Sequence, residues 1–185
     1  MFEIEIRAKI SDLKGIRERI ISLGAEAVKT EKQVDSVFGR KVDLDKEHKI
    51  IDGHFSARIR QKDNNTALEF KEIKRDGAGI ELSCPLSRYE DGINFLDQMG
   101  FQEAFTITKN REIFELDNFE LSLDQVDKLG DYLEIEHKFY DRAEKEQALA
   151  ECQELLGKID PKASIEPRKY GDLMQELINS KEKND

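Results

Sequence analysis

Residues 2–9 read Phe-Glu-Ile-Glu-Ile-Arg-Ala-Lys, apolar at each even position and charged at nearly every position between. Successive side chains of a strand point to opposite faces. Phe2, Ile4, Ile6 and Ala8 therefore form one apolar face, and Glu3, Glu5, Arg7 and Lys9 form one ionic face. Other stretches repeat the pattern: Ala57 and Ile59 alternate with Arg58 and Arg60, and Leu68 and Phe70 with Glu69 and Lys71. Leu121 and Leu123 alternate with Glu120, Ser122 and Asp124, and Leu133 and Ile135 with Glu134, Glu136 and Lys138. If the apolar faces pack on helices, the ionic faces all look the other way. A sheet that curls closed gathers them into one polar bore and leaves no exposed edge. The expected fold is α+β, a closed or nearly closed antiparallel barrel with helices packed outside. One domain is expected over residues 1–178, followed by a charged tail over 179–185.

Helix signals lie between the strands. Ser11 is placed to cap a helix with the stripe Leu13, Ile16, Ile20 and Leu23, stopped at Gly24. Ser87 and Glu90 form a capping box that opens a second helix ending at Gly100. Asp141 and Glu144 start a third, carrying Ala148, Cys152, Leu155 and Ile159, and a short last helix is expected at Asp172–Ile178. Asp63-Asn64-Asn65 reads as a hairpin turn, Asp76-Gly77-Ala78-Gly79 as a flexible turn and residues 39–54 as a polar loop. At an offset of 76 residues Ser11 falls on Ser87, Gly24 on Gly100, Thr30 on Thr106 and Phe38 on Phe114. The same offset lays Arg58-Ile59-Arg60 on Glu134-Ile135-Glu136, which predicts a two-fold internal pseudo-repeat in which one element recurs with inverted charge.

Composition narrows the function classes. Of 185 residues, 38% are charged and 38% hydrophobic, with no run of the ~20 apolar residues a membrane helix needs. No signal peptide is read at the N-terminus. Cys84 and Cys152 have no metal or redox spacing, so a reducing cytoplasm fits. A net charge of −10 opposes nucleic-acid binding, which needs a cationic surface, but leaves room for an enclosed cationic site. A homodimer is the default expectation. His48, His54 and His137 form no ligand pattern, and no Ser/His/Asp or Cys/His nucleophile set is visible.

The ionic faces carry the chemistry. Glu3-Ile4-Glu5 and Glu134-Ile135-Glu136 each put two carboxylates on one strand face, and carboxylate oxygens suit Mg²⁺ or Mn²⁺. Arg58 and Arg60 present two guanidinium forks that match phosphate oxygens; Lys9, Lys71, Lys109 and Arg111 are further candidate cations. Asp124 is a candidate polar wall residue near the bore mouth. Glu166-Pro167-Arg168-Lys169-Tyr170 is a candidate lid that swings a cation over it.

The ordered set of segments resembles the CYTH superfamily, the triphosphate tunnel metalloenzymes, which include class IV adenylate cyclases and thiamine or inorganic triphosphatases. The resemblance covers nearly the whole chain. Glu3-Ile4-Glu5-Ile6-Arg7 is similar to the family's E-x-E-x-K signature, with Arg7 where lysine is usual. Ala57-Arg58-Ile59-Arg60, Lys71 and Thr108-Lys109-Asn110-Arg111 resemble its basic strands. Leu123-Asp124 and Leu129 to Glu136 resemble the segment ending in its second acidic pair, and Pro167-Arg168-Lys169-Tyr170 resembles its closing motif. The resemblance implies an eight-stranded antiparallel barrel with triphosphate in its tunnel. It implies metal binding by Glu3, Glu5, Glu134 and Glu136. It also implies phosphate binding by Arg7, Lys9, Arg58, Arg60, Lys71, Lys109, Arg111 and Arg168. A guanidinium stays protonated and cannot act as a base, so Lys9, on the same face, is the candidate catalytic amine beside Glu5 and Glu134. Residues 104–111 and the Glu166-Pro167-Arg168-x-Tyr170 ending look most like class IV adenylate cyclases. The expected reaction is ATP to cyclic AMP and pyrophosphate. Triphosphate hydrolysis is the alternative, and non-catalytic polyphosphate binding comes third.

Overall fold

The structure is a computed structural model that describes residues 2–74 and 80–182. Its strands are β1 (Phe2–Ile10), β2 (Glu26–Gly39), β3 (Phe55–Lys62), β4 (Asn65–Glu72), β5 (Glu81–Leu86), β6 (Gln102–Leu116), β7 (Phe119–Val126) and β8 (Gly130–Phe139). The helices are α1 (Leu13–Ser22), α2 (Tyr89–Gln98), α3 (Lys145–Ile159) and α4 (Tyr170–Glu182). The chain is α+β, an eight-stranded sheet in the hydrogen-bonded order β1-β8-β7-β6-β2-β3-β4-β5. The order has β1 and β5 as its two ends. Among the described residues hydrogen bonding does not join those ends, so the ladder itself does not close the expected barrel.

The chain divides into two compact units. The first comprises residues 1–31 and 109–167. The apolar faces of β1, β7 and β8 meet α1 and α3 there. Ile6, Ala8, Ile10, Ile16, Ile20, Leu121, Leu123, Leu133, Ile135, Cys152, Leu155 and Ile159 form its core. Burial pushes the Cys152 thiol up to about 11, so it is an inert packing group. The second unit comprises residues 32–108 and 168–185. Phe38, Ala57, Ile59, Leu96 and Phe101 are its core, with Phe70 edge-on to Phe101.

Local signals decide the element ends. α1 and α2 both stop at a glycine in the left-handed region, Gly24 at φ +94° and Gly100 at φ +78°. In each case the next residue's N–H reaches back, from Ala25 to Ile20 O and from Phe101 to Leu96 O, which satisfies a terminal carbonyl. The helix starts differ from expectation. Asp12, not Ser11, caps α1 by accepting from Gly15 N at 2.9 Å. Arg88 sits at the N-cap of α2 without a side-chain bond, so the Ser87 capping box does not form. The Asp141–Glu144 signal acts as read, with Glu144 Oε2 accepting from Asp141 N at 3.3 Å. Asp63-Asn64 makes the expected turn between Lys62 and Asn65. The expected turn at 76–79 lies outside the described residues.

Residues 39–54 are not a plain loop. β2 runs to Gly39, a 3₁₀ turn covers Lys41–Asp43, and Leu44 bridges Ile50. Buried Asp43 holds Arg40 at 2.6 Å and His54 at 2.9 Å, which orders the segment. The last helix spans Tyr170–Glu182, longer than the expected Asp172–Ile178.

The offset of 76 carries β1 towards β5, α1 onto α2 and β2 onto β6, then fails. Read inward from its two ends, the strand order matches β1 with β5, β8 with β4, β7 with β3 and β6 with β2. Arg58 and Arg60 on β3 thus correspond to β7, and Glu134 and Glu136 on β8 correspond to β4. The predicted inversion between those two segments is therefore wrong. Its cause is the segment Arg40–His54 between β2 and β3, where Asp117-Asn118 alone separates β6 from β7. That insertion shifts the register of everything after it.

Candidate active site

In the first unit, the ionic faces of β1, β8, β7 and β6 lie side by side. Register puts Arg7 opposite Glu134, Glu134 opposite Ser122, and Arg111 opposite Asp124. The side chains join into one chain of ion pairs. Arg7 donates through Nε to Glu134 Oε1 at 2.7 Å and through Nη2 to Glu5 Oε1 at 2.8 Å. Arg111 bonds the other Glu134 oxygen and grips Asp124 with two prongs, Nε to Oδ1 at 2.6 Å and Nη2 to Oδ2 at 2.5 Å. Lys109 Nζ donates to Asp124 Oδ2 at 3.0 Å. Asp124 is 0% exposed, Lys109 5% and Glu134 7%, so this is a buried network. An anion that arrives there meets cations already fixed in place.

Electrostatics sort the carboxylates. Burial pushes Asp124 up, but the Arg111 hydrogen bond and the Lys109 and Arg111 charges outweigh it and hold the group below its ordinary range. Burial likewise opposes ionisation of Glu134, and the Arg111, Arg7 and Lys109 charges overcome it. Glu5 goes the other way. Burial and the charge of Glu134 raise it to about 7, against the pull of Arg7 and Arg111. Glu136, opposite Glu5, is also raised, by burial and by the charges of Glu3 and Glu120. Burial and the Arg111 charge lower Lys109.

These facts bear on a divalent ion. Glu5 and Glu136 are hard oxygen donors held back from ionising by each other's neighbourhood, and a cation would relieve that repulsion. The donor chemistry fits Mg²⁺ or Mn²⁺. Among the described residues, no three His, Cys, Asp or Glu side chains are gathered closely enough to form a ready-made ion cage. Both oxygens of Glu134 carry guanidinium partners.

In the second unit, Arg58 bonds Glu69 through Nε, and Arg60 bonds Asp35 with two prongs. Lys71 donates to Glu81 at 2.7 Å. Burial raises Glu81, and the Lys71 hydrogen bond and the Lys71 and Arg58 charges bring it below the ordinary range. Arg168 donates to Glu176 at 2.7 Å, and Glu176 also accepts from Lys49 at 2.9 Å.

Among the expected site residues, the structure links Glu5, Arg7, Glu134, Arg111, Asp124 and Lys109 directly. Glu3 and Glu136 lie on the same ionic face, and Glu3 raises Glu136 through its charge. Lys9 Nζ lies 5.8 Å from the Tyr132 ring centre, beside Gly130. Arg58, Arg60, Lys71 and Arg168 belong to the second unit. Sequence reasoning does not single out Asp35. Its signal is the alternation Gln33-Val34-Asp35, which the offset of 76 lays on Lys109-Asn110-Arg111.

Comparison with known proteins agrees with this architecture. The CYTH domain model matches residues 1–170. A protein of Methanocaldococcus jannaschii named "putative adenylate cyclase" is 31% identical over 159 residues, 84% of this chain and 88% of that one. A Vibrio parahaemolyticus structure, also described as a "putative adenylate cyclase", has a TM-score of 0.75 at 16% identity, covering 94% of this chain and 98% of that one. A Hippeastrum structure, described as a "putative adenylyl cyclase" with "a dominant triphosphatase activity", has a TM-score of 0.67 at 15% identity, covering 95% and 96%. No helix among the described residues is long and apolar enough to cross a membrane.

Proposed function

The chain belongs to the CYTH domain family, and from that premise we propose that it is a metal-dependent enzyme acting on a triphosphate, with ATP converted to cyclic AMP and pyrophosphate as its reaction. The observation that carries this reading is the buried chain Arg7–Glu134–Arg111–Asp124–Lys109. Fixed cations of this kind neutralise phosphate charge without reorganising, which is how phosphoryl transfer is mainly catalysed.

In this reading the sheet encloses the triphosphate as a tunnel. Arg7, Lys109 and Arg111 take phosphate oxygens in the first unit, and Arg58, Arg60 and Lys71 supply cations from the second. Arg168 acts as a lid cation once phosphate competes it away from Glu176. Glu5 and Glu136, with Glu3 and Glu134, would hold a Mg²⁺ or Mn²⁺ ion, which would polarise the phosphoryl group and make the attacking oxygen more acidic. The ribose 3′-oxygen bonds to the α-phosphorus as the bond to the pyrophosphate oxygen breaks. Lys9 is the side chain assigned to accept the 3′-hydroxyl proton, because Arg7 stays protonated.

The second reading is triphosphate hydrolysis, favoured by the activity named for the Hippeastrum structure. Water then attacks the terminal phosphorus and orthophosphate leaves. Product analysis with ATP and with tripolyphosphate, each with Mg²⁺ or Mn²⁺, tests both. Cyclic AMP and pyrophosphate support the first reading, and orthophosphate supports the second. Binding without product leaves a polyphosphate-binding protein.

A further inference from the structure

We infer that Asp35 is a positioning residue that aims the Arg58–Arg60 row at phosphate, as Asp124 aims Arg111 and Lys109. This rests on the triphosphate reading above. Asp35 is 6% exposed and lies directly opposite Arg60 across the β2–β3 ladder. Arg60 grips it through Nε to Oδ1 at 2.7 Å and Nη2 to Oδ2 at 2.5 Å, and Arg58 Nη1 lies 3.7 Å from Oδ2. The same two-pronged geometry joins Arg111 to Asp124 across the β6–β7 ladder. β2 and β3 hold the places in the strand order that β6 and β7 hold from the other end. Residue 35 plus the offset of 76 is residue 111. One cross-strand pair therefore occurs twice, with acid and base exchanged between the strands. This is the charge inversion of the repeat, at a different place from the one expected.

A buried ion pair is weak evidence of a stability role, because packed apolar side chains would serve the fold as well. A carboxylate that takes Nε and Nη2 fixes the guanidinium plane and lowers the cost of crowding two arginines on one strand face. A fork fixed in advance loses less freedom when phosphate binds.

The sign of one measurement separates aiming from charge. Removing a carboxylate beside a cationic row makes the row more positive, so charge alone predicts tighter tripolyphosphate binding. Aiming predicts weaker binding. Calorimetric titration of the full chain with tripolyphosphate is expected to show about a tenfold weaker Kd for Asp35→Asn, from loss of one charged hydrogen-bond pair. Asp35→Glu is expected to recover part of the affinity. The exchange Asp35→Arg with Arg60→Asp keeps the pair in the orientation the first unit uses. It is expected to fold, by thermal melt, yet stay weaker than the natural chain because the fork now starts from the other strand. Tighter or unchanged binding by folded Asp35→Asn overturns the inference, as does full recovery in the exchanged variant. If Asp35→Asn fails to fold, the exchanged variant decides alone. A natural chain that does not bind tripolyphosphate overturns the functional reading itself.

Discussion

The two units use the same local pattern, a strand with an ionic face, and give it different environments. In the first unit Asp124, Lys109 and Glu134 are all buried, whereas in the second the side chains of Lys71 and Glu81 are 38% and 45% exposed. Strand position explains much of this. β8 lies between β1 and β7, and Leu133 to Ile135 are buried on both of its faces. β1, though an end of the order, is covered by Ile165 and Glu166, whose N–H donates to Arg7 O at 2.7 Å. β5 ends the order at the other side with exposed Leu82 and with Pro85, a residue suited to an edge because it has no N–H to pair. The lesson is that periodicity reports which side chains share a face, and the neighbours of the strand decide what that face costs and what it can do.

The largest effect is expected where the first unit's network has its junction. Glu134→Gln uncouples Arg7 from Arg111 and removes a proposed metal ligand. It is expected to lower turnover by about 10²–10³-fold or more while far-UV circular dichroism stays unchanged. Turnover near the natural rate would break the assignment. Asp124→Asn leaves the Arg111 and Lys109 charges buried without their carboxylate. It is expected to cost about 3–5 kcal/mol in denaturant unfolding. Because the folded Asp124 titrates below its ordinary 3.8, its contribution is complete above that value and is lost as the pH falls through the lower folded value. The stability curves of the two proteins should therefore converge in acid. A constant gap at all pH values would mean that the ion pairs are not the cause.

Much of this network was legible before any coordinates. The alternation around Glu134, Asp124 and Arg58 placed each side chain on its face, and Gly24 and Gly100 marked both helix ends. Partners were not legible, because a pair such as Arg7 and Glu134 depends on which strands are neighbours, and periodicity is silent on strand order. Asp35 escaped for the same reason, since an acid on a strand acquires meaning only when Arg60 is seen opposite. The helix starts failed on a finer point. Ser11 and Asp12 are both capping residues, and the backbone path chose Asp12. The repeat was misread beyond β2 because a fixed offset cannot follow a chain with an insertion before β3.

The comparison sharpens in the second unit, where smaller effects are expected. Arg60→Ala removes a half-buried fork and should weaken tripolyphosphate affinity about tenfold, with a stability change well below that of Asp124→Asn. Unchanged affinity would remove β3 from the binding surface. Lys71→Ala lies at the bottom of the range. Its pair with Glu81 is more than a third exposed on both partners, so screening by water and salt leaves about 0–1 kcal/mol of stability to lose. Phosphate affinity should fall severalfold at low salt, and the difference should shrink as ionic strength rises, because a lysine acts as a point charge rather than a fitted fork. Arg60→Ala should keep most of its effect in salt, since directional hydrogen bonds between partly buried groups are screened less. If both variants lost their effects equally in salt, the two rows would be alike in kind, and the contrast between a built site and a charged edge would fail.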